Sequence, residues 1–164
     1  MRPSAIFASS RASRRIVIAA IGACVAAVTL DGSSSAATSP TARACPSASI
    51  VKAELGVPAG APVVTKTQVS KTCTYPGAGT VGSTKITFQV DTLAGFASGE
   101  KAAGTFGAKI VKVQHLGQAA WTTGSGDLHV FDGHETITIL ALSLGVRSPS
   151  TATAKVEALA RKLL

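Results

Sequence analysis

Three cysteines and three histidines carry most of the chemistry open to this chain of 164 residues. Cys24 lies inside an apolar run, Cys45 opens "CPSASIVKAELG", and Cys73 sits in "KTCTYPG". A thiol acts as a nucleophile when a base such as histidine stands within reach. Two thiols in an oxidising compartment pair as a disulfide instead. His129 and His134 flank the turn in "DLHVFDGHETITILAL", with Asp127, Asp132 and Glu135 beside them. Such a group could be imagined around Zn²⁺ or Cu²⁺, but a metal site needs three or four converging ligands. A solvated hairpin tip is the simpler reading, and we assign no metal, no cofactor and no catalytic residue from sequence.

Other chemistries find less support. The acidic residues beyond position 37 are dispersed, and no pair is singled out for general acid–base work. No G-x-S-x-G elbow occurs. "GSTK" at 82–85 lacks the spaced glycine and residue order of a phosphate loop. Trp121, if exposed, would suggest a platform for a sugar or peptide; the burial habits of tryptophan favour a core position closing the sheet.

The compartment follows from the front end. "MRPSAIFASSRASRR" holds four arginines and no acid, and Ile16 to Leu30 runs fifteen residues without a charge. A basic region, an apolar region and a small-residue exit describe a secretory signal peptide. Fifteen residues fall short of the roughly 20 that span a bilayer. Residues 1–37 are therefore read as the signal, with cleavage near Ala37, and 38–44 as a flexible leader; Ala42 and Ala44 offer other exits. "SRRIVI" resembles a twin-arginine signal, and "IGAC" resembles a lipoprotein box that would acylate Cys24. Cys24 is thus discarded or lipidated, and contact with a membrane is expected only through an uncleaved signal or a lipid anchor. Two cysteines remain, and the expected disulfide is Cys45–Cys73. Without residues 1–37 the chain keeps twelve basic and seven acidic residues, a formal charge of +5. The cations are scattered singly apart from Arg161–Lys162, with no basic stripe and no stacking aromatics, so no nucleic-acid partner is expected.

Local patterns place these residues on elements. "PSASIVKAELG" reads as a helix capped by Ser47 and stopped by Gly56, burying Ile50, Val51 and Leu55. "VVTKTQVSKTCTY" is β-branched and reads as one strand. "TKITFQVDT" alternates, placing Ile86, Phe88 and Val90 on one face. "LAGFASGEKAAGTFG" suggests a weaker helix with Leu93, Phe96, Ala103 and Phe106 to one side. "AKIVKVQHL" and "GQAAWTT" read as strands. Asp132–Gly133 suits a two-residue turn that would pair Phe131 with His134 and Leu128 with Ile137. "SPSTATAKVEALARKLL" reads as a helix with Pro149 in its first turn and a stripe of Ala152, Val156, Leu159, Ala160 and Leu163. The expected fold is α+β: one domain over 45–164, an antiparallel sheet packed with N-terminal, central and C-terminal helices.

The pattern Cys45, Leu55–Gly56, Cys73-Thr74-Tyr75, Phe96–Ala97, "VQHLGQAAW", "VFDGHETITI" and "LARKLL" resembles small secreted or lipoprotein-like domains of actinobacteria, families of unknown function. The resemblance spans nearly all of 45–164. It implies a sandwich similar to PsbP-like domains and a place at the cell envelope, and it supplies no catalytic residue. Members often carry Gly-Leu-Gly-Asp before the alanine pair; His115-Leu116-Gly117-Gln118 lacks the acid and one glycine, so the resemblance assigns this loop no ligand. The expectation is an exported or envelope domain that binds a partner or small ligand without catalysis. A His/carboxylate or metal-assisted enzyme and a purely structural component are the alternatives.

Overall fold

A computed structural model describes residues 43–77, 82–142 and 148–164. The signal region, Cys24 and leader residues 38–42 lie outside the described residues. The first helix, α1 (Ala48–Leu55), begins where the Ser47 hydroxyl accepts the Ile50 amide. It ends at Gly56, whose φ of 68° is open to glycine at little cost. Val51 and Leu55 are buried as expected; Ile50 is exposed.

The stretch expected to form one strand folds as a hairpin, β1 (Val63–Lys66) and β2 (Ser70–Tyr75). No glycine, asparagine or proline marks its turn. Thr67 makes it instead, its hydroxyl accepting the Val69 and Ser70 amides while its own amide donates to the Ser70 carbonyl. Strand β3 (Thr84–Val90) follows, then α2 (Leu93–Thr105), capped by the Thr92 hydroxyl on the Gly95 amide. Strands β4 (Val111–Lys112), β5 (Ala119–Thr122), β6 (Asp127–Phe131) and β7 (Glu135–Ala141) form a second meander, and α3 (Pro149–Leu163) closes the described chain.

All seven strands join one antiparallel sheet in the order β1-β2-β3-β7-β6-β5-β4. Two meanders, β1–β3 and β4–β7, therefore meet at the β3–β7 seam, and α2 carries the chain to the far edge. The fold class is the expected α+β.

Alternation sorts the sheet into two faces. Cys73, Tyr75, Ile86, Phe88, Leu128, Val130, Ile137 and Ile139 point to one of them, where Val51 and Leu55 of α1 and Val156, Leu159 and Ala160 of α3 bury against them. On the opposite face Phe96 of α2 packs with Trp121 and Phe131. Trp121 is a core residue, as read from sequence. Phe96 is the one buried side chain of α2; Leu93 and Phe106, expected on its packed side, are exposed, Phe106 by 89%. Two further expectations change. The strand foreseen over 108–116 shrinks to the two residues of β4. The hairpin pairs Phe131 with Thr136 and Leu128 with Ile139, two residues away from the expected register. Asp132 causes that shift: its carboxylate accepts the His134 and Glu135 amides and builds a longer turn. A shift of two preserves the faces, so Leu128, Val130, Ile137 and Ile139 still share the core.

Candidate functional site

Cys45 and Cys73 form a disulfide with Cα atoms 5.9 Å apart. It ties the residues leading into α1 to the middle of β2. Beside it the Tyr75 hydroxyl donates to the Pro46 carbonyl at 2.6 Å, and burial pushes that phenol up to about 12. Neither cysteine is available as a nucleophile. Among the described residues no helix is long and apolar enough to cross a membrane.

The two histidines of the β6–β7 hairpin separate. His129 lies on the α2 face, its ring stacked on Trp121 with centroids 3.8 Å apart and planes 14° apart. Its Nδ1 shares a hydrogen bond with the Thr138 hydroxyl at 3.2 Å, and its Nε2 stands 3.6 Å from Asp127. Asp127 is itself fixed by the β5–β6 turn: Thr123 donates its hydroxyl at 2.5 Å and its amide at 3.0 Å, and the Ser125 amide adds a third donor. Burial works to raise the Asp127 carboxyl, but the bonds from His129 and Thr123 win and hold it well below the ordinary carboxylate range.

His134 instead occupies the exposed hairpin tip, where Nδ1 lies 3.4 Å from Asp132. Asp132, His134 and Glu135 can each turn one ligand atom to within 4.8 Å of the others. A cation already lies there. Arg43 Nη2 donates to Asp132 at 2.6 Å, Nε pairs with buried Glu135, and Nη1 donates to the Leu163 carbonyl. The Lys71 ammonium donates to the Arg43 carbonyl. A divalent ion would have to expel the guanidinium, so the donor set is poorly suited to a metal. Burial raises the Glu135 carboxyl, opposed by Arg43 and reinforced by Asp132. The stability it contributes is therefore full below the ordinary glutamate range and declines as pH rises through the elevated value. Arg43, placed by sequence in a flexible leader, is held at four points by the folded domain.

One arrangement escaped the sequence reading. Strand register aligns Thr65, Thr72, Thr87, Thr138, His129, Trp121 and Lys112 in a single row across all seven strands, on the face away from α1 and α3. Thr72 and Thr87 hydrogen-bond through their hydroxyls at 3.0 Å. Phe96 of α2 packs over the Trp121 end, while Thr72, Thr87 and Thr138 stay half-buried and Thr65 exposed. The available signal was threonine at every second position of β2 and β7; aligning them required the pairing. No family model, no curated protein and no solved structure matches this chain.

Proposed function

We propose that the chain is an exported domain of the cell envelope that binds a partner or small ligand without turning it over. The observation carrying this reading is the open part of the threonine row. Hydroxyls and methyls repeat there at the strand spacing, about 4.8 Å, on a face that the helices of the main core do not cover. Such a surface suits a partner offering hydroxyl or amide groups at regular intervals. The disulfide supports an oxidising compartment, and the likeness to actinobacterial envelope domains agrees with that location. The test is co-sedimentation with isolated actinobacterial envelope. The protein should be retained, and Thr65→Lys with Thr87→Lys should abolish retention while leaving the circular dichroism unchanged. Equal retention of the variant, or none of the wild type, would reject the proposal.

The line Thr138–His129–Asp127 favours a second reading, an enzyme in which His129 activates the threonine hydroxyl. Asp127 spends its stronger hydrogen bonds on the β5–β6 turn, which argues for a structural role. Turnover of a chromogenic ester that Thr138→Val abolishes would establish the enzyme instead.

A further inference from the structure

Residues 43–46 run along β2 and are pinned to it by the three buried side chains of that strand. The Lys71 ammonium donates to the Arg43 carbonyl, Cys73 is bonded to Cys45, and the Tyr75 hydroxyl donates to the Pro46 carbonyl. Lys71, Cys73 and Tyr75 are alternate residues of β2 and so share one face.

The Arg43 side chain reaches the other way. Its guanidinium bridges Asp132 at 2.6 Å and Glu135, and it donates to the Leu163 carbonyl near the end of α3. The two carboxylate side chains are only 8% and 4% exposed. His134, 3.4 Å from Asp132, is mostly exposed and is a cation only when protonated. Removing Arg43 therefore leaves two shielded carboxylates side by side without the guanidinium that pairs them. Breaking a buried ion pair by losing one partner is the costly way to break it.

This geometry bears on export. Besides the exit near Ala37, the sequence offers one after Ala44, with Ala42 and Ala44 at the two small-residue positions that a signal peptidase reads. Hydrolysis there would add the hydroxyl of water to the Ala44 carbonyl and its proton to the Cys45 nitrogen. Arg43 would leave with the signal. That bond also lies between two anchors, the Arg43 carbonyl on Lys71 and the Cys45 sulfur on Cys73. Proteolysis concentrates on segments that are not tied down, and this one is tied on either side.

We propose, resting on the export reading, that processing spares the Ala44–Cys45 bond and that the mature protein keeps Arg43. The guanidinium then clasps the N-terminal segment to the β6–β7 turn and to the end of α3.

The experiment expresses the full precursor in an actinobacterial host and reads the N-terminus of the exported protein by intact mass and N-terminal sequencing. A chain beginning at or before Arg43 is expected, and one beginning at an acylated Cys24 meets the expectation equally. A chain beginning at Cys45 overturns the proposal and leaves export standing. A precursor found uncut and only in the cytoplasm rejects the export reading, and the proposal with it.

A second measurement tests the clasp in the same exported protein. Arg43→Gln removes the charge and the fork, and it should lower the urea midpoint by about 1 M or more. Adding Glu135→Gln should recover part of that loss, because the stranded carboxylate is gone. If Arg43→Gln does not accumulate, Arg43→Lys takes its place; it keeps the charge without the planar fork and should give a smaller fall. An unchanged midpoint in whichever variant folds would make Arg43 a passenger and overturn the clasp.

Discussion

Asp127 shows how one carboxylate can serve structure in a place that looks chemical. It sits beside a histidine and a threonine, yet Thr123 and Ser125 hold it as the centre of the β5–β6 turn. Its folded-state ionisation is depressed, so it adds stability above the ordinary carboxylate range, and that stability drains away as pH falls through the depressed value. Asp127→Asn should therefore cost about 2–3 kcal/mol at pH 7, the scale of hydrogen bonds to a charged group. The gap to wild type in urea midpoint should narrow toward pH 3, and a gap independent of pH would contradict this account. Sequence brought Asp127, His129 and His134 to attention by type, but their grouping depends on which strand lies opposite. Local pattern cannot supply that: His129 finds Trp121 and Thr138, while His134 stays at the tip. Arg43 was invisible for the same reason, since its partners Asp132 and Leu163 lie 89 and 120 residues away.

Elements with strong local chemistry were legible, and weak ones were not. Ser47 and Gly56 bound α1, and β3 alternates as expected from Thr84 to Phe88, with Ile86 and Phe88 buried. Val90, expected on the same buried face, is exposed at the strand's end. The β1–β2 turn went unseen because Thr67 builds it from a side chain with no turn signature. Helix α2 is the least committed element: three glycines interrupt it and only Phe96 is buried. Its glycines are not equivalent. A Cβ at Gly99 meets nothing within 4 Å, whereas one at Gly95 would stand 2.2 Å from an Asp91 oxygen. Asp91 has little freedom to yield, because it accepts the Thr92 amide at 2.8 Å and the Thr136 hydroxyl at 2.7 Å. Gly99→Ala should stabilise the protein by about 0.5–1 kcal/mol through helix propensity. Gly95→Ala should lose about 1–2 kcal/mol as those bonds are disturbed. Chemical denaturation of the two variants decides the matter: a shift of both in the same direction would rule out the packing difference drawn between them.

At the scale of the whole molecule, the long-range joins decide the fold. The helix and strand content pointed to an antiparallel α+β sheet, but nothing local announces that β7 returns to pair with β3 or that α2 crosses to the opposite face. Both ends of the described chain converge on one region, where Arg43 reaches the Leu163 carbonyl and α1 packs on α3. The disulfide reinforces that closure, and cysteine arithmetic alone could foresee it. Chain entropy over a sequence separation of 28 sets its contribution near 3–4 kcal/mol, a large share of the roughly 5–15 kcal/mol that holds a domain together. Because Val51 and Leu55 sit in the main core, loosening α1 opens that core rather than fraying an end. Cys45→Ala with Cys73→Ala should therefore lower global stability by that amount and reduce hydrogen-exchange protection in β2, β3 and β7 together with α1. Protection lost from α1 alone would show that the helix is an independent flap and that the bond secures only the N-terminal segment.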